Sequence, residues 1–370
     1  MTPRVLIVAG SDSGGGAGIQ ADIKTVTMLG GHAMTAVTAI TAQNSLGVNA
    51  VLPVPADMVL AQIDAVVGDI GVDAVKIGMI GSAETAHRVA ERLETLDVPI
   101  VFDPVMVATS GATLADQATI AAFTRLMRCA TVVTPNLPEL EALGGEAKVL
   151  EQGCALLAKG GHGAGEMLID RLVTRDGELA RWEAPRIPTT STHGTGCTLA
   201  SALAIFLALG YPLKAAVARA RQFVRIALRD APGLGAGHGP MGHHHVRLDL
   251  GPGARLNQVT LPLAPGAIDF WRTLGLRQIV STEDGHYARF EAAGGATLSL
   301  EAGAEPTIFL ECDDLDAEVA RLRAAGVVFD QPPTDQPWCW REARLRDPAG
   351  NALCLYQADE NRRFPPWRLA

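Results

Sequence analysis

The 370-residue sequence lacks several features that would each point to a particular class of protein. Its six cysteines include no CxxC pair, which is typical of a reduced, cytoplasmic protein rather than of a disulfide framework. It has no GxxxxGK(S/T) phosphate-binding motif. The longest apolar run, Cys197 to Leu209, is shorter than the roughly 20 residues that span a bilayer, so it predicts a buried helix. We expect no P-loop, no membrane span and a cytoplasmic location.

The sequence also lacks an excess of basic residues. Its formal net charge is −9 and its pI is about 5.5, which argues against a nucleic-acid partner or an acidic lipid surface. The first apolar run, residues 5–8, has the length of one strand and is too short for a signal peptide. With 48% apolar and 19% charged residues, the chain is typical of a soluble globular enzyme. Its length predicts two domains.

Residues 1 to about 232 alternate short apolar runs with longer amphipathic stretches. Strands are predicted at 5–9, 74–77, 100–102, 131–134 and 155–158, and helices at 19–29, 83–96 and 115–126. Buried strands separated by helices predict an α/β fold with a mostly parallel sheet, covered on both faces, which binds ligands beyond the carboxyl ends of its strands.

A composition break rich in glycine and proline covers residues 231–242, and it either links two domains or wraps onto the first. We place the first domain at 1–248 and the second at 252–370. His243–His245 follow the break; three consecutive histidines cannot all face one ion on regular structure, so we interpret them as structural or incidental. After Arg255, a pattern of strand, helix and strands occurs twice, which predicts a small duplicated α+β domain.

The strongest chemical signal is the stretch STHGTGCT, residues 191–198, which leads directly into the apolar helix. Glycines at a helix start let backbone N–H groups converge on an anion, and the helix dipole favours negative charge there. Such a nest can hold the charge of a phosphoryl group during its transfer. Cys197 lies in the first turn, where a thiol is acidified and can act as a base. The alternative is an ordinary glycine-rich turn with a buried cysteine.

A second glycine-rich stretch, AGSDSGGGAGIQAD at residues 9–22, follows the first strand and opens a helix. It suggests a nucleotide-binding fingerprint, but residues 14–18 do not match GxGxxG. By itself this loop is weak evidence for any function.

Together with other segments in order, these two stretches resemble the hydroxymethylpyrimidine and hydroxymethylpyrimidine-phosphate kinases. The matching segments are AGSDSGGGAGIQADIKT (9–25), AITAQNSLGV (39–48), KIGMIGS (76–82), FDPVMVATSG (102–111), VTPNLPEL (133–140), KGGH (159–162) and THGTGCTLASALA (192–204). The resemblance covers residues 4 to 245. It implies a ribokinase-like αβα sandwich that transfers the γ-phosphoryl group of ATP, with Mg²⁺, to a pyrimidine hydroxymethyl group or its monophosphate in thiamine synthesis. We also expect a homodimer.

The resemblance implies a role for individual residues. Gly10, Asp22 and Gln43 would hold the aminopyrimidine, and Met79 and Val105 would pack on its ring. The anion hole and the base on the substrate oxygen would come from the helix start, namely Gly194, Thr195, Gly196 and Cys197. Asp103 and Glu139 would organise Mg²⁺, directly or through water, and Asn136 and Lys159 would contact ATP.

The residues at the helix start leave the substrate open. Many kinases of this fold have an acidic residue where Ser191 lies and an aspartate base where Cys197 lies. A cysteine there fits both the pyrimidine kinases and their pyridoxal-phosphorylating relatives, so a pyridoxal or pyridoxine kinase is an alternative. A second alternative is a metabolite-binding protein that acts through the second domain, with a degenerate kinase part.

The second domain resembles the glyoxalase/bleomycin-resistance family, also called vicinal oxygen chelate proteins. The resemblance rests on DFWRTLGL (269–276), FLECDDLDAEVARLRAAGV (309–327) and RDPAGNALCLYQ (346–357), and it implies paired βαβββ modules. Metal enzymes of that family use His, Gln or Glu at four strand positions, which here would be Gln258, Glu301, Thr307 and Cys354. Threonine and a buried thiol are poor substitutes, so we expect an organic-ligand pocket lined by Trp271, Trp338 and Trp340 rather than a catalytic metal.

Overall fold

The computed structural model describes residues 2–107, 111, 114–162, 165–246, 254–292 and 294–369. The chain divides into two compact units, Met1–His244 and His245–Ala370. The boundary expected between residues 248 and 252 lies outside the described residues. Within the described part of the chain, no helix has the length and hydropathy needed to cross a membrane.

The first unit contains a nine-stranded sheet with the order β3-β2-β1-β4-β5-β6-β7-β8-β9. Its strands are β1 Arg4–Asp12, β2 His32–Gln43, β3 Val48–Pro53, β4 Ala74–Ile77, β5 Ile100–Phe102, β6 Val132–Val133, β7 Ala155–Ala158, β8 Met167–Thr174 and β9 Gly177–Pro185. The six central strands, β2, β1, β4, β5, β6 and β7, run parallel. The outer strands pair antiparallel with their neighbours: β3 with β2, β8 with β7, and β9 with β8. The predicted mostly parallel sheet is confirmed.

Eight helices are described in this unit. They are α1 Gly18–Met28, α2 Ala56–Asp69, α3 Ala83–Leu93, α4 Gln117–Cys129, α5 Leu137–Ala142, α6 Glu146–Leu150, α7 Thr195–Ala208 and α8 Leu213–Arg229. Side chains of β1, β4 and β5 are almost completely buried, as expected for strands covered on both faces. Helix α7 is the predicted buried helix; nine of its residues are buried.

Four strands of this unit were not predicted. Strand β2 mixes threonines with apolar residues, and β8 and β9 form an exposed hairpin whose polar residues resemble a loop pattern. The glycine-rich stretch 231–242 is not a free linker, because it packs on the first unit. The backbone N–H of His238 donates to Ser45 O (2.9 Å), and that of Gly242 donates to Ala227 O (2.8 Å).

The second unit contains an eight-stranded sheet with the order β11-β12-β13-β10-β14-β17-β16-β15. Its elements are β10 Arg255–Pro262, α9 Ala267–Thr273, β11 Arg277–Ser281, β12 Tyr287–Glu291, β13 Thr297–Glu301, β14 Thr307–Glu311, α10 Leu315–Ala324, β15 Gln331–Asp335, β16 Arg341–Arg346 and β17 Ala352–Gln357. The two halves repeat the order strand, helix and three strands, and β10 pairs with β14 between them. The predicted duplication is confirmed.

The two faces of this second sheet differ in character. Apolar side chains such as Phe290 and Leu300 pack with α9 residues on one face. The alternate positions carry polar and charged side chains, including Arg289, Glu291 and Glu311, which are all buried. The carboxyl-terminal segment 359–369 lies against these side chains. Its Arg363 pairs with Glu291 at 2.5 Å and its Arg362 with Glu311 at 3.3 Å.

Candidate active site

The predicted site residues of the first unit cluster at one edge of the sheet. Gly10 lies near the carboxyl end of β1, Gln43 ends β2, and Asp103 follows β5 directly. Met79 comes two residues after β4, and Lys159 comes directly after β7. Because the carboxyl ends of parallel strands meet at the same edge, the topology brings these distant segments together.

Asp103 and Lys159 form an ion pair at this edge. The Lys159 ammonium donates to Asp103 Oδ1 (2.7 Å), and the Thr134 hydroxyl donates to the same oxygen (3.0 Å). Burial by itself would lower the pKa of Lys159, but Asp103 and Glu139 raise it above its ordinary value. A methyl group on Gly196 would lie 3.2 Å from Lys159 Nζ and 3.3 Å from Asp103 Oδ2. The start of α7 therefore faces this charged pair directly.

Glu139 and Asn136 begin α5 as a capping box. Asn136 Oδ1 accepts the Glu139 N–H (2.9 Å), and Glu139 Oε2 accepts the Asn136 N–H (2.8 Å). Burial is the main cause that raises the pKa of Glu139 to about 7, and Asp103 adds to it while Lys159 opposes it. Asn136 is thus committed to the helix cap through its side-chain oxygen, and Glu139 is electrostatically coupled to the Asp103–Lys159 pair.

The start of α7 packs tightly against the first glycine-rich loop. Gly194, the N-cap, has a φ of 83°, and a methyl group there would lie 1.9 Å from Gly16 O. A methyl group on Gly16 would lie 2.6 Å from His193 Cδ2. Both positions therefore require glycine, one for its backbone conformation and both for space. The first turn of any helix leaves N–H groups unpaired, so this junction can receive an anion.

The Cys197 thiol does not have the acidity expected from its position. Burial raises its pKa to about 11, although the Lys76 ammonium and the Gly18 N–H act in the opposite direction. Asp22 and Asp103 add to the increase. The helix start alone therefore does not acidify this thiol, because burial disfavours the thiolate and the two nearby carboxylates add to that effect. The expectation of a low pKa was wrong.

Asp22 is a fully buried carboxylate that is electrostatically coupled to Asp103 and Cys197. The Lys76 ammonium donates to Asp22 Oδ2 (2.7 Å), the Ser201 hydroxyl donates to Asp22 Oδ1 (2.7 Å), and the Asp22 and Lys76 side chains are fully buried. Burial raises the pKa of Asp22, and Lys76 opposes this shift. Both oxygens of Asp22 are engaged inside the protein and join α1, β4 and α7, so its contact with a substrate ring stays a prediction.

Gln43 lies beside the two glycine-rich loops. Its amide is 3.1 Å from His193 Nε2, and His193 Nε2 is 2.9 Å from Asp12 Oδ2. Asp12 also accepts the N–H groups of Gly14 (2.8 Å), Gly16 (3.0 Å) and Ala17 (2.8 Å). His193 is fixed from the other side by the composition break, since its N–H donates to Gly239 O (3.2 Å).

The predicted ring-packing residues lie near one another. A methyl group on Gly10 would lie 3.1 Å from Met79 Sδ, so the two residues are in contact distance. Met79 and Val105 are both half-buried. Val105 begins the loop after Asp103, with its N–H bonded to Asp103 O (2.8 Å). Residues 108–110 of the same predicted motif lie outside the described residues.

The donor atoms of Asp103 and Glu139 are suited to Mg²⁺. Among the described residues, no group of three or more His, Cys, Asp or Glu side chains could hold a metal ion. Mg²⁺ usually keeps several waters and binds through one or two carboxylates together with substrate phosphates. Asp103 and Glu139 match that requirement, and Lys159 beside them can neutralise phosphate oxygens. The residues fit a magnesium ion that arrives with ATP.

The second unit does not bring its four predicted metal positions together. Gln258 pairs in register with Thr297 and Phe309, and Phe309 pairs with Cys354. Thr307 lies opposite Thr260, and Glu301 lies opposite Pro262, so neither shares the row of Gln258. The Gln258 amide oxygen accepts the Thr297 hydroxyl (2.8 Å), and burial raises the pKa of Cys354 well above its usual range. Gln258 and Cys354 therefore share one row across Phe309, whereas Thr307 lies two residues from that row and Glu301 lies four residues from it.

The three tryptophans do not line one pocket either. Trp340 is buried and stacks on Tyr356, with ring centroids 4.5 Å apart. Trp271 packs with Phe290 on the opposite, helix-covered face. Trp338 is partly exposed, and its indole N–H donates to Glu342 (2.7 Å). The proposed organic-ligand pocket is therefore not formed by these residues.

Three contributors to the site had no role assigned from the sequence, namely Asp12, Lys76 and His193. All three lie in segments that resemble the kinase family. A lysine between apolar residues in the strand AVKI was a usable signal, because an unpaired buried ammonium is costly and implies a buried partner. Asp12 and His193 gave no such signal, since both occur in polar, glycine-rich loops.

Comparisons with known proteins match each of the two units to a family. Residues 12–242 match the phosphomethylpyrimidine kinase family, and residues 264–355 match the glyoxalase/bleomycin resistance protein/dioxygenase superfamily. A hydroxymethylpyrimidine/phosphomethylpyrimidine kinase of Streptomyces coelicolor is 48% identical over 256 residues, which are 65% of this chain and 94% of that protein. A thiamine biosynthesis bifunctional protein of Geobacter sulfurreducens is 48% identical over 255 residues, but this chain spans only 52% of its length.

Solved structures show the same fold. The pyridoxal kinase of Bacillus subtilis, in complex with ADP, has a TM-score of 0.61 and 32% identity, covering 66% of this chain and 98% of that one. A phosphomethylpyrimidine kinase of Clostridium difficile has a TM-score of 0.52 and 37% identity, covering 61% of this chain and 98% of that one.

Proposed function

The chain belongs to the phosphomethylpyrimidine kinase family, and on this basis we propose that it phosphorylates 4-amino-5-hydroxymethyl-2-methylpyrimidine and its monophosphate with ATP in thiamine synthesis. The observation that carries the proposal is that the start of α7 faces the Asp103–Lys159 ion pair. A methyl group added to Gly196 would lie only 3.2 Å from Lys159 Nζ and 3.3 Å from Asp103 Oδ2. A cation, two carboxylates and a helix start at one point suit the transfer of a phosphoryl group.

The phosphate end of the site has a distinct set of residues. Lys159 would contact the ATP phosphates, and Asn136 would line the nucleotide side with its amide nitrogen. Asp103 and Glu139 would hold Mg²⁺, directly or through water, and the ion would neutralise charge on the phosphates. Gly194, Thr195 and Gly196 would offer backbone N–H groups to the moving phosphoryl group, whose charge the α7 dipole also favours.

Cys197 would take the proton of the substrate hydroxyl. Its pKa of about 11 leaves the thiol mostly protonated at neutral pH, so only a small thiolate fraction is available as a base. This is compatible with phosphoryl transfer, which has a loose transition state and depends more on positioning and electrostatics than on a strong nucleophile. The adjacent Lys76 ammonium supports the thiolate, because it lowers the pKa of Cys197.

The substrate ring would bind between the β1 and β2 ends. Gln43 would read its hydrogen-bonding edge, because an amide offers both a donor and an acceptor. Gly10 would allow close approach of the ring, and Met79 and Val105 would pack on its faces. Asp22 would also hold the aminopyrimidine, as the family resemblance implies, while its other contacts fix Lys76 and Ser201.

Pyridoxal phosphorylation is a second candidate, favoured by the similarity to the Bacillus subtilis pyridoxal kinase. The deciding experiment supplies the purified chain with Mg²⁺-ATP and each substrate in turn: the aminopyrimidine, its monophosphate, pyridoxal and pyridoxine. ADP release and product mass are measured. We expect the largest kcat/KM for the pyrimidines. Turnover of pyridoxal alone would replace the proposed substrate, and ATP hydrolysis without a phosphorylated product would contradict the kinase assignment.

The expected homodimer and cytoplasmic location stay predictions. Sedimentation of the purified chain across a range of concentrations would measure its oligomeric state. A concentration-independent monomer would contradict the homodimer.

A further inference from the structure

Gln43 is held through both its backbone and its side-chain amide. Its backbone N–H donates to Ser13 Oγ (2.8 Å), and the Ser13 hydroxyl bonds back to Gln43 O (2.8 Å). As placed, the amide nitrogen lies 3.1 Å from His193 Nε2, and the amide oxygen lies 3.2 Å from Thr41 Oγ1. The two ends of an amide have nearly the same shape, so the hydrogen-bond network decides which end is oxygen.

The first constraint on this amide comes from Asp12. Its side chain is buried and receives three backbone N–H groups as well as His193. Burial alone would raise the pKa of Asp12, but His193 and the backbone N–H groups lower it below its ordinary value. An ionised carboxylate can only accept, so the proton between Asp12 and His193 is on Nε2. The end of Gln43 that faces Nε2 must therefore be an acceptor.

The second constraint comes from Thr41 and is independent of the first. Its hydroxyl lies 2.9 Å from Ser11 O, which is a carbonyl oxygen and can only accept. A hydroxyl has one proton, so Thr41 gives it to Ser11 and can only accept from Gln43. The end of Gln43 that faces Thr41 must therefore be a donor. Both constraints require the same exchange of the amide oxygen and nitrogen.

We propose that Asp12 and His193 are positioning residues that hold the Gln43 amide with its oxygen toward His193 and its nitrogen toward Thr41. This arrangement presents one donor–acceptor order to the substrate ring. The inference rests on the proposed function, in which Gln43 reads the ring. The opposite orientation of the amide would place two donors together at His193 and two acceptors together at Thr41. The amide therefore cannot reverse its orientation without losing both hydrogen bonds.

A fixed order separates the two candidate substrate classes. Next to its hydroxymethyl group, the aminopyrimidine carries an exocyclic amine, which donates, and then a ring nitrogen, which accepts. At the equivalent positions, pyridoxal carries an aldehyde oxygen, which accepts, and then a hydroxyl group. Since one amide orientation matches only one of these orders, Asp12 and His193 contribute to the choice between them, and family membership assigns the choice to the aminopyrimidine.

The first test measures the proton on His193 directly. The full chain is labelled with ¹⁵N-histidine, and its ring resonances are recorded at pH 7.5, with His193→Asn used for assignment. We expect Nε2 of His193 to carry the proton. Because this experiment needs no substrate, it is independent of the proposed function. An unprotonated Nε2, with the proton on Nδ1 alone, would overturn the inference.

The second test compares steady-state kinetics for the aminopyrimidine and pyridoxal. We expect Gln43→Leu to raise KM for the aminopyrimidine by about tenfold to a hundredfold, as for an unpaired buried polar group. His193→Asn should raise the same KM by about tenfold, reduce selectivity over pyridoxal, and change kcat less. His238→Asn is the matched control, since this exposed histidine contacts Thr192 and not Gln43, and it should leave both constants unchanged.

The outcomes separate the inference from the proposed function. If Gln43→Leu leaves KM unchanged, Gln43 does not read the ring, and both that assignment and this inference fail. If Gln43→Leu raises KM but His193→Asn keeps wild-type KM and selectivity, only the positioning role of His193 is overturned. A decrease in kcat alone, with KM and selectivity unchanged, would likewise overturn it, because a positioning role in ring recognition must appear in KM.

Discussion

Lys76 is a fully buried cation inside β4, and its partner Asp22 is equally buried. Removing one member of such a pair leaves an uncompensated charge in the protein interior. Lys76→Met should therefore lower the free energy of unfolding by about 3–5 kcal/mol. Denaturation in urea measures the change, and the exposed pair Arg88–Asp57 supplies the control, since Arg88→Ala should have little effect.

A second substitution separates charge from packing at this pair. Adding Asp22→Asn to Lys76→Met removes the unpaired carboxylate, so part of the lost stability should return. Should the double variant be as unstable as the sum of the two single variants, the pair would not be coupled, and its assigned role would be wrong.

Cys197 is the second residue whose role can be tested in isolation. Cys197→Ala removes the group that would accept the substrate proton, which usually costs about 10²–10⁴-fold in rate. We expect kcat to fall in that range while KM for ATP stays nearly constant, because the backbone N–H groups of the α7 start are retained. Steady-state kinetics with both substrates varied supply the measurement. Near-wild-type kcat would remove Cys197 from the mechanism.

At the scale of elements, helix α7 is held by the segment that follows α8. The Thr198 hydroxyl is 2.8 Å from Nε2 of His243, which is buried in the histidine tract. Burial lowers the pKa of His243 to about 4 from an ordinary value of 6.5. A histidine with a lowered pKa in the folded state stabilises fully above pH 6.5, and this contribution is lost as the pH falls toward 4.

This linkage predicts a pH-dependent stability that one substitution removes. Between pH 7 and pH 5, His243 should contribute a loss of about 2 kcal/mol to the free energy of unfolding. The His243→Gln variant, which does not titrate, should show a correspondingly smaller decrease over that range. Denaturation at both pH values measures the difference, and exposed His244→Gln is the matched control. If the free energy of unfolding decreases equally between pH 7 and pH 5 in His243→Gln and in the wild type, the lowered pKa of His243 is not the cause of the decrease.

The second sheet gives a prediction about metals. Its buried polar face is covered by segment 359–369, and Gln258, Glu301, Thr307 and Cys354 do not share one row. A neutral threonine and a thiol with a raised pKa are weak ligands for hard ions. We expect no stoichiometric transition metal after dialysis of the full chain, purified without an affinity tag and measured by elemental analysis. Bound metal that persists in a variant lacking all three of His243–His245 would overturn this prediction.

At the scale of the whole molecule, the division into two units predicts separability. The first unit ends at His244 and contains every residue of the proposed kinase site. A chain that ends at residue 248 should therefore be soluble and keep the kcat/KM of the full chain. Circular dichroism and the kinase assay check both properties. Aggregation of the shortened chain would mean that the second unit covers apolar surface on the first.

Much of the architecture could be predicted from the sequence because buried parallel strands are locally unambiguous. β4, β5 and β7 were predicted at their observed bounds, since each is a short apolar run flanked by polar turns. The family resemblance is confirmed by the match of residues 12–242. It rests on motifs whose identity and order can be read from the sequence without any tertiary structure. The antiparallel hairpin of β8 and β9 could not be predicted, because its exposed polar pattern resembles a loop.

What the sequence by itself determined is therefore the buried strands β1 and β4 to β7, the family and the segments that form the site. Tertiary structure decided which side chain meets which. Asp22 matches the family pattern, and Lys76 and Ser201 bond its two oxygens. Cys197 lies at a helix start, yet burial raises its pKa and nearby carboxylates add to the increase. Ion pairing and burial depend on residues about 50 to 180 positions apart, such as Asp22 with Lys76 and Ser201, and no local pattern encodes those distances.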